Sequence, residues 1–120
     1  MTSPNNYIVV VNIANCPDFG TKEGDYYIGR QFLYNGKLFR KSKYANPYKI
    51  ARGMTRQHVL EQYVDYLYAE GLAYCVQEDL TNVKRLGCWC KPLPCHGDIL
   101  ASIAAHGPAW YKAMRAARSE

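Results

Sequence analysis

The chain has 120 residues, 48% of them hydrophobic and 13% aromatic, enough for one buried core and too apolar for intrinsic disorder. Its formal net charge is +5, from fifteen Lys and Arg against ten Asp and Glu, which favours anionic partners. No apolar run approaches the roughly 20 residues that cross a bilayer, and Met1-Thr2-Ser3-Pro4 lacks the charged and apolar regions of a secretory signal. Five cysteines, an odd number in a chain without such a signal, point to free or metal-bound thiols and a cytoplasmic location.

In chain order, Tyr7-Ile8-Val9-Val10-Val11-Asn12 is a β-branched run of the kind found in a strand buried on both faces, and it is the best candidate for a central strand. Cys16 to Asp25 reads as loop, broken by Pro17, Gly20 and Gly24. Tyr26-Tyr27-Ile28-Gly29 reads as a second short strand. Phe32-Leu33-Tyr34, Asn35-Gly36 and Lys37-Leu38-Phe39 form a hairpin signal, because Asn-Gly fits a type I′ turn. Lys41 to Gly53 returns to loop, with a turn at Asn46-Pro47.

Thr55 is placed to cap a helix from Arg56 to Glu70, with Val59, Tyr63, Tyr66 and Leu67 on one face and Gly71 at its end. Leu72, Val76, Leu80 and Val83 keep helical spacing and predict a second, shorter helix. Val83 to Cys90 reads as a strand and Asp98 to His106 as a helix, with Asp98 as its N-cap. Gly107-Pro108 breaks the chain before a last helix, Ala109 to Arg118. There are no repeats or linkers. The expected fold is a single α/β domain, residues 1–120, with a small, mostly parallel sheet flanked by helices and a β-hairpin insert near residues 32–39.

Two stretches carry chemistry. From Tyr26 to Leu60 there is no Asp or Glu, while Arg30, Lys37, Arg40, Lys41, Lys43, Lys49, Arg52 and Arg56 alternate with aromatic residues. Cations among aromatic rings suit phosphates and stackable bases. The second stretch is Cys88-Trp89-Cys90-Lys91-Pro92-Leu93-Pro94-Cys95-His96, three thiols and an imidazole in nine residues. On a strand Cys88 and Cys90 share one side and Trp89 takes the other. If the first strand and the Leu86 strand are parallel neighbours, Asn12 and Cys88 to Cys90 end at the same sheet edge, where ligands gather in α/β folds.

Asn12, Tyr27-Ile28-Gly29-Arg30, Ser42-Lys43-Tyr44-Ala45-Asn46-Pro47-Tyr48, Arg56, Leu86-Gly87-Cys88-Trp89-Cys90-Lys91-Pro92 and Pro94-Cys95-His96-Gly97-Asp98-Ile99-Leu100 together resemble the phage and bacterial family called domain of unknown function 4326. The resemblance runs from about Tyr7 to Ala104. It implies that Arg30, Asn46, Arg56 and the Cys-His cluster act together, and it implies no particular reaction.

Three uses of the cluster follow from the residue types. Cys88, Cys90, Cys95 and His96 form a donor set for tetrahedral zinc, although the adjacent Cys95 and His96 must bend toward one ion. Alternatively the thiols are reduced core residues, with Cys16 and Cys75 more surely so. A binding pocket would use the helix start at Asp98, Gly97 for close approach, Lys91 and Arg30 for a phosphate or other anion, and Trp89 or Tyr48 over a base. Gly29 leaves room beside Arg30 for such a ligand. An enzyme would use Cys95 as a nucleophile activated at a helix start, with Asp98 or Asp25 as the available carboxylate. Redox exchange between Cys88 and Cys90 is weaker, since an extended C-x-C holds its thiols apart. His58 and His106 are expected at the surface or core edge.

The reading that results is a cytoplasmic domain binding a nucleotide-like or other phosphate-bearing ligand through Asn12, Arg30, Asn46, Arg56, Trp89, Lys91 and Gly97. A small nucleotide- or nucleoside-directed enzyme and a zinc-stabilised nucleic-acid-binding module are the alternatives. No membrane partner is expected.

Overall fold

The computed structural model describes residues 8–49 and 53–118, so Tyr7 and Arg52 lie outside the described residues. Three short strands, β1 (Val9–Asn12), β2 (Asp25–Tyr27) and β5 (Arg85–Cys88), form a parallel sheet in the order β1-β5-β2. Strands β3 (Phe32–Tyr34) and β4 (Lys37–Phe39) make a separate antiparallel hairpin. Its turn follows the sequence signal, with Asn35 at φ 50° and Gly36 at φ 78°, the left-handed pair a type I′ turn requires.

The sheet corrects one expectation. β5 is the central strand and β1 is an edge, with Val9 54% exposed. A β-branched run identifies a strand, but its place in the sheet depends on which strand is covered on both faces. Side chains of β5 alternate between two cores. Leu86 and Cys88 enter the larger one, beside Ile28, Tyr63, Leu67, Leu80, Leu100 and Ile103. Trp89 enters the smaller one, with Ile13, Phe19, Phe39 and Tyr27. Gly87 leaves space there for the Phe19 ring, whose nearest carbon would lie 2.4 Å from an added Cβ.

Helices cover one face and the hairpin the other. Helix α1 (Arg56–Ala69) is capped by Thr55, whose Oγ1 accepts from the His58 amide at 3.0 Å, and it buries Val59, Tyr63, Val64 and Leu67. Gly71 follows in the left-handed conformation, φ 76°. The next helical stretch is shorter than its apolar spacing suggests, a 3-10 turn (Leu72–Cys75) leading into α2 (Val76–Asp79). Helix α3 (His96–His106) and helix α4 (Pro108–Arg118) complete the chain, with Pro108 in the first turn of α4. His58 and His106 are exposed, and Cys16 and Cys75 are only half-buried, whereas Cys88 and Cys95 are buried. Among the described residues no helix is long and apolar enough to cross a membrane.

Candidate functional site

Parallel pairing sets Asn12 opposite Cys88 and Tyr27 opposite Gly87, so all three strands point their carboxyl ends at one edge. Beyond that edge the chain bends at Trp89, runs through Cys90 and the cis Lys91–Pro92 bond, and enters α3. Asn12 fastens this loop: its Nδ2 donates to the Lys91 carbonyl at 2.8 Å, while its Oδ1 accepts from the Ala14 amide at 2.9 Å. The cap of α3 is Cys95 rather than Asp98. The Gly97 amide donates to Cys95 Sγ at 3.3 Å, and Asp98, two residues into the helix, accepts from the Cys95 amide at 3.1 Å. Asp98 also pairs with Lys91 at 2.6 Å. The loop is thus tied to β1 at one end and to α3 at the other.

These ties bring three sulfurs together. The Sγ atoms of Cys88, Cys90 and Cys95 all lie within 4.8 Å of one another, closer than an extended C-x-C predicts because the backbone bends at Trp89, just past the end of β5. Cys95 is extended (φ −141°, ψ 151°) and His96 is the first helical residue. The adjacent Cys95 Sγ and His96 Nδ1 come within 3.8 Å of each other, while the three sulfurs alone form the group that lies mutually within 4.8 Å. The His96 ring is 8% exposed, with Nε2 2.8 Å from the Ile28 carbonyl and Nδ1 3.8 Å from Cys95 Sγ.

The three thiols are electrostatically unequal. The Cys88 and Cys95 thiols, then the His96 ring, turn toward Cys90 and hold its thiol far below the ordinary value. Cys95 moves the opposite way, raised by its hydrogen bonding to Cys88 and Cys90 and then by burial. The cluster is a donor set that could hold a metal ion.

Above the sulfurs lies a cleft of about 490 Å³. Among the described residues its cations are Arg30, Lys49 and Arg56, its aromatic walls are Tyr27, Phe32, Tyr48 and Trp89, and no Asp or Glu lines it. Arg30 follows β2, and its Nε and Nη2 donate to the Asn46 carbonyl at 3.2 and 2.9 Å, with Nη2 also reaching the Tyr48 carbonyl at 3.1 Å. These bonds draw residues 46–48 against the cleft. Arg56 opens α1 and touches the Pro94 carbonyl at 3.4 Å. The Trp89 indole N–H donates to the Tyr27 hydroxyl at 2.8 Å, which itself donates to the Arg30 carbonyl. Trp89 is thereby fixed edge-on to Tyr27 and Phe32, with ring centres 6.4 and 5.1 Å away.

Of the residues singled out from the sequence, Arg30, Asn46, Arg56, Trp89, Cys88, Cys90, Cys95 and His96 all border this cleft. Asn12, Lys91, Gly97 and Asp98 do not; they build the loop and helix start behind it. A Cβ on Gly97 would lie 2.8 Å from Val10 and 2.9 Å from Ile28, so its close approach is to the core. The room at Gly29 is taken up by the Tyr27 hydroxyl, 2.4 Å from an added Cβ. Asp25 lies at the opposite end of the sheet, bound to Arg85. Tyr27, Phe32, Lys49, Leu60 and Pro94 line the cleft without having been assigned to it. Lys49 and Phe32 stood in the basic, aromatic window, and Tyr27 and Pro94 in the family pattern, which were the available signals; Leu60 gave none.

A small parallel α/β domain with a cysteine-rich centre under a basic, aromatic cleft is what fold and site define. The chain belongs to the family described as Domain of unknown function (DUF4326), whose model matches residues 11–106. It is similar to "Uncharacterized protein R718" of Acanthamoeba polyphaga mimivirus, 30% identical over 111 residues, covering 86% of this chain and 81% of that protein. A short segment is similar to the "Uncharacterized 12.4 kDa protein in nrdA-td intergenic region" of Enterobacteria phage T4, 79% identical over 19 residues, or 16% of this chain and 18% of that protein. Both relatives are viral. No solved structure matches the chain.

Proposed function

We propose that the cleft binds a nucleotide-like ligand through its phosphate and base, and that the thiol cluster beneath it holds zinc. The observation that carries the reading is the composition of the cleft: Arg30, Lys49 and Arg56 for an anion, Tyr48 and Trp89 for a flat ring, and, among the described residues, no carboxylate to repel a phosphate. Its volume of about 490 Å³ falls within the range of small-molecule sites, roughly 300–1,000 Å³. Its place beyond the carboxyl ends of parallel strands is where α/β folds bind ligands. Thiolate donors favour zinc over hard cations such as magnesium. A reducing, cytoplasmic setting keeps the thiols available.

Calorimetric titration with nucleoside monophosphates, the matching nucleosides and inorganic phosphate tests this reading. The expected result is saturable binding of a nucleoside monophosphate, at least tenfold tighter than the nucleoside, with little salt dependence. Absence of binding by every probe overturns it. Binding confined to oligonucleotides, with affinity falling steeply in salt, makes the face a nucleic-acid surface instead.

A further inference from the structure

We propose that His96, through Nδ1, is the fourth ligand of the Cys88–Cys90–Cys95 centre, making a closed Cys3His zinc site that fixes the cleft wall. The proposal rests on the zinc reading above and deepens it. A carbonyl oxygen only accepts, so the 2.8 Å contact between His96 Nε2 and the Ile28 oxygen requires the hydrogen on Nε2. A neutral imidazole protonated there presents its lone pair at Nδ1, the nitrogen turned toward Cys95 Sγ at 3.8 Å. Metal-binding histidines show this arrangement, the second nitrogen donating to a carbonyl that fixes tautomer and ring orientation. The ring is also held edge-on to Tyr63, with centres 5.1 Å apart.

The sulfurs fit the same centre. Two Zn–S bonds of about 2.3 Å at a tetrahedral angle put sulfurs roughly 3.8 Å apart, and the three Sγ atoms already lie within 4.8 Å of one another. The Gly97 amide aimed at Cys95 Sγ, 3.3 Å away, is the donor a metal-bound thiolate takes from its surroundings. A redox pair accounts for two sulfurs and leaves the third sulfur and the oriented imidazole unused. An ordinary thiol core accounts for neither the imidazole lone pair nor three convergent sulfurs.

Four protein ligands leave no open position. The ion therefore joins the end of β5 to the start of α3 and, through His96 and Ile28, to the segment after β2. Trp89 and Pro94, which lie between the ligands in sequence, are held in the cleft wall by the same closure. A ligand in the cleft does not coordinate the metal.

The test measures metal without any nucleotide, so failure of the nucleotide reading is separate from failure of this one. Native mass spectrometry of the purified full chain should find one zinc, absent from Cys88→Ser. Cobalt substitution should give the intense visible bands of a tetrahedral thiolate centre, unmoved by added azide or phosphate. His96→Gly should weaken zinc binding at least about 100-fold against a chelator and should regain the wild-type cobalt spectrum with free imidazole. Should His96→Gly fail to fold, His96→Cys keeps one zinc if position 96 is a ligand. Bare protein that takes up neither metal overturns the proposal. So does wild-type zinc affinity with an unchanged cobalt spectrum in His96→Gly, or a wild-type cobalt spectrum that responds to azide.

Discussion

Asp25 and Arg85 are register partners on β2 and β5, and they form a two-pronged ion pair, Nε to Oδ1 at 2.7 Å and Nη2 to Oδ2 at 2.9 Å. The Asp25 carboxylate is 2% exposed and also accepts from the Gly20 and Lys22 amides. Arg85, followed by those amides, holds its pKa down at about 2, from an ordinary 3.8. Arg85 reaches Asp18 as well, at 3.3 Å, so one guanidinium gathers the loop after β1 onto the amino end of the sheet.

The pH dependence follows from the sign of that shift. The folded chain binds fewer protons at Asp25 than the unfolded chain, so the pair stabilises the fold above about pH 4. That stability is lost as pH falls from about 4 toward about 2. Allowing for solvent around Arg85, its size is about 2 kcal/mol. Asp25→Asn should lower stability by about 2–3 kcal/mol at neutral pH and flatten the acid limb of urea denaturation midpoints taken from pH 2 to 6. An unchanged acid limb would assign that limb to other carboxylates.

The hairpin gives a cleaner test of backbone strain. Gly36 has φ 78° and nothing within 4 Å of an added Cβ, so a substitution there meets conformation alone. Gly36→Ala should cost about 1 kcal/mol in thermal or urea unfolding. It should leave ligand affinity unchanged, because Gly36 is outside the cleft. A loss near zero would mean the turn relaxes to another type.

What the sequence made legible is mostly local. Asn35-Gly36 dictates its turn, Thr55 and Gly71 bound α1, and Pro108 starts α4, each through chemistry confined to a few residues. The convergence of Arg30, Asn46, Arg56, Trp89 and the Cys-His cluster was also anticipated, in part from a family pattern that places them together. Properties that depend on distant packing were not legible. β5 became central because helices cover Leu86 and Cys88 while the hairpin side receives Trp89, a coverage no strand encodes by itself. Tyr44, flanked by Lys43 and near Lys41 in the basic window, is fully buried, donating to Asp79 at 2.6 Å and accepting from Tyr63 at its carbonyl. Cys95 as the cap of α3 was missed because cysteine is a weak acceptor, and Asp98 nearby is the commoner capping type.

Arg30 and Arg56 border the same cleft but carry different structural duties, and that separates binding from stability. Among the described residues Arg56 has a single long hydrogen bond, to Pro94, whereas Arg30 holds two carbonyls of the 46–48 segment. Arg56→Ala should weaken nucleoside monophosphate binding about tenfold, or about 1.4 kcal/mol, with stability changed by no more than about 0.5 kcal/mol. Arg30→Ala should weaken binding at least as much and also cost about 1–2 kcal/mol of stability. Paired calorimetry and thermal unfolding on both variants read the two effects separately. Equal stability losses would mean the carbonyl contacts of Arg30 do not hold the loop.

Trp89 supplies its own reporter. The chain has two tryptophans. Trp110 lies on α4, 44% exposed, against His106 with ring centres 4.2 Å apart and away from the cleft. Trp89 lies in the cleft wall, packed near Tyr34 and Phe39 at 5.0 and 5.8 Å. A nucleotide base entering the cleft should change Trp89 emission and leave Trp110 emission alone. Trp110→Phe should therefore keep the full ligand-dependent fluorescence change. Trp89→Phe should abolish that change and also lose about 1–2 kcal/mol of stability, because the indole donor to Tyr27 is removed and the aromatic packing shrinks. A ligand signal that persists in Trp89→Phe would place the bound ring away from this wall, and the same titration curve would show whether affinity had moved with it.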